Sequence, residues 1–168
     1  MKMNVTLKFY ESNDGIHSMR DSEIMAMLNR ADHEGVLDYI FFGDGTYTKE
    51  MFLFKVKFHP GNLFFSIHWE DWPVGFGLMD NMRWRKADGH FCFYRKFWGK
   101  PELVEIAKET YRQLFERFSV MIGVVPITNK FAVRFCKKAG MKEMCMIPGY
   151  FHDGENSVDG VQFIAREI

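Results

Sequence analysis

With 168 residues the chain is long enough for one well-buried core and too short for two, so 1–168 is expected to form a single domain. Apolar residues make up 47% of it and aromatic residues 17%, a composition that excludes intrinsic disorder. Lys plus Arg (22) equals Asp plus Glu (22), so no long-range field draws the chain to nucleic acid or an anionic membrane, and any anionic ligand has to be held by a local basic patch.

Val5, Leu7 and Phe9 alternate with Thr6, Lys8 and Tyr10, the period of a half-buried strand. A turn at Ser12 to Gly15 leads to a helix with Ile24, Met25, Met27 and Leu28 on one side, capped by Ser18 or Asp21 and ending near Asn29. Val36 to Phe42 is too short to assign, and Gly43 to Thr46 is a turn signal. Met51, Phe52, Phe54, Val56 and Phe58 fit a strand by period 2 and a short helix nearly as well. Strands over Leu63–Trp69, Val74–Trp84 and His90–Phe97 follow as a meander, with Gly75 and Gly77 pointing to a bulge or a close backbone approach. Pro101 opens a helix reaching about Arg117, because its missing N–H has no intrahelical partner there, and Glu102 and Glu105 suit the positive end of the dipole. Leu103, Ile106, Ala107, Leu114 and Phe118 form its apolar stripe. An apolar strand at Val120–Val125, a helix from Asn129 to Ala139 stopped by Gly140, and strands at Lys142–Ile147 and Gly160–Arg166 complete the order.

The segment Met1 to Lys8 lacks the apolar core of a signal peptide, and no stretch approaches the roughly 18 apolar residues that span a bilayer. Cys92, Cys136 and Cys145 are odd in number and lack C-x-x-C spacing, so reduced thiols in a cytoplasmic protein are expected. His152, Asp153 and Glu155 share a polar turn without a complete ligand set, and no metal is expected. Net neutrality is compatible with a homodimer that covers aromatic surface.

Between Val124 and Met141, Asn129 opens a helix, the small Ala132 follows three positions later, and Gly140 ends the unit. This segment resembles the acyl-coenzyme A-binding part of the GCN5-related N-acetyltransferase family. Trp72-Pro73-Val74-Gly75-Phe76 is similar to the family strand that begins near a valine-glycine pair, and the resemblance extends over about Asn62 to Arg166. It implies an α+β fold, layered α/β/α, around a mixed and mostly antiparallel sheet of the acyl-CoA N-acyltransferase type. It also implies acetyl-CoA as co-substrate and an amine acceptor, either a small molecule or a protein. Three departures stand out. Met141 replaces a phenylalanine, the turn before the Pro101 helix has one glycine with Trp98 beside it, and Cys136 stands where many members have a tyrosine.

Independently of the resemblance, a strand running into a helix leaves unpaired N–H groups over the helix N-terminus, a site for an anion. Lys96, Phe97, Trp98, Gly99, Lys100 and Glu102 make up that junction, with Gly99 permitting close approach and the two lysines supplying positive charge. The alternative is an ordinary connection with solvated lysines. Asn129 is an N-cap by position, and the resemblance adds contact with the acyl end of the cofactor; Arg134 lies within reach of a cofactor phosphate or is simply solvated. Through the resemblance Cys136 takes the place of the acid that protonates the leaving thiolate, against a plain packing role. Glu70 and His90 are the candidate bases for the amine, with Asp71, Asp80 and His68 on the same meander. A backbone N–H on the His90–Phe97 strand, unpaired where it splays from Val120–Val124, is the implied oxyanion donor. A catalytically inactive scaffold of the same fold, binding a protein partner, is the second reading, favoured by Trp98 and Cys136.

Overall fold

The computed structural model of the chain describes residues 3–13, 15–40, 48–152 and 154–166. The turn expected at Gly43 to Thr46, the Phe41-Phe42 end of the unassigned stretch and Asp153 lie outside them. In β1 (Val5–Phe9) the expected alternation holds, with Val5 and Leu7 buried. A small hairpin of β2 (Ser12–Asn13) and β3 (Ile16–His17) follows. Helix α1 (Asp21–His33) is capped neither by Asp21 nor by Ser18. Arg20 is the N-cap residue, its backbone N–H donating to the Glu23 carboxylate at 2.7 Å. Ser18 instead donates to the Phe9 carbonyl at 2.8 Å. The helix outruns Asn29 because Ala31, fully buried, continues the apolar stripe begun by Ile24 and Leu28.

The ambiguous segment after residue 48 is a helix, α2 (Lys49–Phe58), started by the Thr48 hydroxyl accepting from the Met51 N–H at 3.2 Å. Exposure shows which period governs it. Phe52 and Val56, four apart, are buried, while Phe54 and Phe58 are 64% and 62% exposed; a strand would have turned all four to one side.

The rest of the chain is β4 (Leu63–Trp69), β5 (Trp72–Arg83), β6 (Lys86–Phe93), α3 (Pro101–Leu114), β7 (Val120–Pro126), α4 (Lys130–Lys138), β8 (Lys142–His152) and β9 (Ser157–Arg166). Seven of the strands form one sheet in the order β1-β4-β5-β6-β7-β9-β8, antiparallel everywhere except between β6 and β7. Strand β6 ends at Phe93 rather than Phe97, because Arg95–Phe97 tightens into a single 3₁₀ turn.

Helices cover both faces of the sheet centre, which is why Val74 to Asp80 on β5 are buried without interruption. On one face Phe52 of α2 packs edge-on against Phe64 and Phe76, and the Arg30 guanidinium of α1 lies 3.8 Å above the Tyr94 ring. On the other, Phe65 meets Phe91, and Phe91 meets Tyr111 of α3. The stripe of α3 (Leu103, Ile106, Ala107, Tyr111, Leu114) is buried along its length.

Gly75 and Gly77 are the close approaches that their strand position suggested. A Cβ at Gly75 would run into the Cys92 carbonyl of the neighbouring strand, and one at Gly77 into the Phe65 ring. Backbone cannot yield as a side chain can, so Gly75→Ala is expected to cost about 2 kcal/mol or more. Gly123→Ala, whose nearest neighbour would be 3.6 Å away, should cost far less. Urea unfolding of the two variants checks the difference.

Candidate active site

Strands β6 and β7 run side by side for three register pairs, Lys86↔Val120, Ala87↔Met121 and Asp88↔Ile122, and then part. Each remains paired on its outer edge, β6 with β5 as far as Phe93 and β7 with β9 as far as Pro126. A cavity of about 520 Å³ opens between the inner edges.

The direction of the freed backbone groups follows from strand parity. The Tyr94 N–H donates to the Val74 carbonyl at 3.0 Å, so Tyr94, Cys92 and His90 address β5. Gly89, Phe91 and Phe93 therefore turn their N–H and C=O groups towards β7; the Gly89 N–H closes the last register pair with Ile122, and the groups of Phe91 and Phe93 point into the gap. The side chains sort oppositely by face. Phe91 and Phe93 meet α3 and α4, through Tyr111 and Phe135 respectively. His90 lies on the α1–α2 face with Asp80. The cavity is lined from both faces, by Cys136 and Phe135 on one and by Val36, Asp80 and His90 on the other.

The structure brings some of the sequence candidates into this cavity and leaves others out. His90, Cys136, Asn129 and Trp98 line it. Glu70 does not: it occupies the two-residue β4–β5 turn at φ 49°, beside a separate pocket of about 200 Å³. Lys96, Phe97 and Lys100 line that second pocket with Trp69 and Trp72. The Lys96 and Lys100 ammonium groups lie 5.7 and 5.5 Å from the centre of the Phe97 ring. Arg134 is exposed on α4, outside the residues lining either pocket.

The turn ahead of α3 is also poorer in free donors than expected. The amides of Phe97, Trp98, Lys100 and Leu103 all donate to backbone carbonyls three residues back, and Pro101 has no N–H. That leaves Gly99, at φ 77°, and Glu102 as the amides outside this set. Trp98 lies across the mouth of the gap. Its indole N–H donates to the Phe93 carbonyl at 2.8 Å, and its ring stacks on Phe131 of α4 at 4.9 Å.

Asn129 caps α4 as its position required, its side-chain oxygen accepting from the Ala132 N–H at 3.0 Å. Burial pushes the Cys136 thiol up to about 12. A thiol held that high gives up its proton reluctantly to a thiolate whose own value lies near 8.5.

Asp80, one of the meander carboxylates, and two residues outside the sequence-based candidates, Tyr111 and Lys55, complete the site. Tyr111, on α3, lines the cavity, and burial pushes its hydroxyl up. It lies four positions after Ala107, on the stripe that marked the α3 core. Asp80 accepts from Lys55 of α2 at 2.6 Å and from His90 at 3.2 Å. Burial alone would raise the Asp80 carboxyl, but these two bonds outweigh it and hold the group at about 2. Lys55 was hidden in the segment whose period was ambiguous.

No family model matches the chain, and no curated protein matches it at the level of sequence. Solved structures do. Spermidine N-acetyltransferase from Vibrio cholerae, in complex with CoA and spermine, superposes with a TM-score of 0.74 at 13% identity, covering 96% of this chain and 95% of that one. The ribosomal-protein-S5-alanine acetyltransferase of Vibrio fischeri gives 0.71 at 10% identity, covering 96% and 92%. A Salmonella typhimurium protein solved with its cofactor acetyl-CoA gives 0.69 at 12%, covering 97% and 94%. The chain has the GCN5-related acetyltransferase fold. The mixed, mostly antiparallel sheet and, among the described residues, four α-helices match that fold, and β6 and β7 part at the centre of the sheet.

The Asp80 carboxyl, depressed in the folded state, contributes stability that is present above the unfolded value near pH 4 and lost as pH falls through about 2. Asp80→Asn is expected to be about 2 kcal/mol less stable than wild type near neutrality, the gap closing between about pH 4 and about pH 2. Denaturant unfolding across that range measures it.

Proposed function

We propose that this protein is an N-acetyltransferase that passes an acetyl group from acetyl-CoA directly to a primary amine in a ternary complex. The observation that carries the reading is the gap itself. The N–H groups of Phe91 and Phe93 and the Phe91 carbonyl face a cavity with no partner strand, and unpaired backbone in a partly buried position is costly. An extended ligand with its own amides, such as the pantetheine arm, satisfies those groups as an added strand would. The CoA-bound and acetyl-CoA-bound structures of the same fold support that choice of ligand.

His90 takes the role of base. It receives a proton from the acceptor ammonium, the amine nitrogen forms a bond to the thioester carbonyl carbon, and the C–S bond breaks. The second proton lost by the nitrogen neutralises the departing thiolate. A freed N–H of β6 just beyond the apex, that of Phe91, donates to the carbonyl oxygen as negative charge develops there. Cys136 packs the wall, since its thiol is held too high to serve as acid, and Glu70, which lines the separate pocket instead, takes no part. Asn129 uses its oxygen as a cap and presents its amide nitrogen to the cofactor. A small-molecule amine is the favoured acceptor, by analogy with the spermine-bound neighbour.

A second reading has a specific observation behind it. The Trp98 indole already occupies the Phe93 carbonyl and stacks across the mouth, and most turn amides ahead of α3 are spent on carbonyls. This arrangement suits a scaffold that does not bind the cofactor and presents its surface to a protein partner.

Calorimetry with acetyl-CoA separates the two. The enzyme reading expects saturable one-to-one binding that weakens at least about tenfold in Gly123→Phe, which fills the gap. Trp98→Ala should bind about tenfold more tightly once the mouth is cleared. Folded wild-type protein that shows no binding at millimolar ligand would move the assignment to the scaffold.

A further inference from the structure

Three elements converge on one carboxylate beside the gap: Lys55 from α2, Asp80 from β5 and His90 from β6. Asp80 is 7% exposed, yet it lies next to a cavity and holds two partners, one for each oxygen. We propose that Asp80 and Lys55 are positioning residues that fix the tautomer of His90, so that its Nδ1 carries the lone pair used as base. The inference rests on the acetyltransferase reading for its purpose, but its physical content is independent of that reading.

A carboxyl group held at about 2 is ionised at every working pH, and an ionised carboxylate only accepts hydrogen bonds. The His90 Nε2 atom, 3.2 Å from Asp80 Oδ1, must therefore carry the proton. In the neutral ring that leaves Nδ1 as the single atom able to take one. Lys55 occupies the other oxygen at 2.6 Å. With both oxygens held, the carboxylate plane is fixed against the imidazole. Asn81 and Asp88 bond each other at 3.0 Å along the same edge and leave the His90–Asp80 contact undisturbed.

The orientation matters for sidedness. His90 stands on the α1–α2 face of the sheet, whereas Cys136, Phe131 and Trp98 line the α3–α4 side. An amine that gives its proton to His90 must approach from the α1–α2 face, opposite the side on which Trp98 closes the mouth.

The test is long-range ¹H–¹⁵N correlation of the imidazole nitrogens in the full chain at neutral pH, with His90 identified among the six histidines through His90→Gln. Wild-type His90 should show its proton on Nε2 with a preference of about tenfold or more. In Asp80→Asn, whose amide can donate to Nε2, that preference should fall at least about tenfold or reverse. Lys55→Met should weaken it to a smaller degree while leaving the fold intact. A wild-type proton on Nδ1, or an unchanged pattern in Asp80→Asn, would overturn the inference. If Asp80→Asn does not fold, the wild-type and Lys55→Met spectra decide the matter. Acetyl-CoA titration of the same samples keeps the two claims apart. Loss of cofactor binding with the tautomer as expected would strike the enzyme reading alone. Cofactor binding with the wrong tautomer would strike only the role given to Asp80 and Lys55.

Discussion

The structure depends on a hydrogen-bond ladder that stops after Asp88 and Ile122. Strands β6 and β7 are each anchored along the full outer edge, to β5 and to β9, so neither can close on the other without tearing a ladder already formed. The inner edges are left with freed amides and carbonyls facing each other across a gap. Everything proposed for the site follows from that frustration. The gap is polar along its backbone edges and lined on its α3–α4 side by rings, and such a space favours an elongated ligand with amides at strand spacing over water or a compact metabolite.

Much of this architecture is legible in the sequence. The strand at Val120, the Pro101 helix, the Asn129 cap and the glycine at Gly140 each carry a local chemical signal that does not depend on tertiary packing. Gly75 and Gly77 likewise announce a close backbone approach. Where the reading fails, the reason is specific. The segment from Met51 to Phe58 is so rich in aromatic residues that it satisfies both periods, and only the buried pair Phe52 and Val56 against the exposed Phe54 and Phe58 distinguishes them. With strand and helix equally open there, nothing in the sequence directed Lys55 towards Asp80, the carboxylate whose charge it organises.

The junction ahead of α3, expected as one reading to hold an anion, illustrates a different limit. Composition placed two lysines and a glycine ahead of a helix, the ingredients of an anion site. Ingredients do not determine direction, however. The 3₁₀ turn at Arg95–Phe97 spends most of the amides and sends Lys96 and Lys100 over Phe97, on the side of Trp69 and Trp72. Trp98, the residue that looked least compatible with a cofactor, is the one the fold aims at the gap. Its indole N–H meets the Phe93 carbonyl because that carbonyl is an orphan of the parted ladder, and a buried orphan acceptor draws the nearest donor.

The same logic connects the two chemical sides of the cavity. A gap that passes between two strands is open to both faces of a sheet, and this sheet carries different helices on each. The α3–α4 face supplies rings and a thiol that holds its proton, an apolar wall with little acid–base chemistry to offer. The α1–α2 face supplies an imidazole tied to an ionised carboxylate and, through it, to a lysine. Acyl transfer needs proton movement at the amine and exclusion of competing water at the thioester. For the acyl transfer proposed above, parity alone would keep those requirements apart: along β6, successive residues alternate between the α1–α2 face, which carries the imidazole, and the α3–α4 face, which carries the rings.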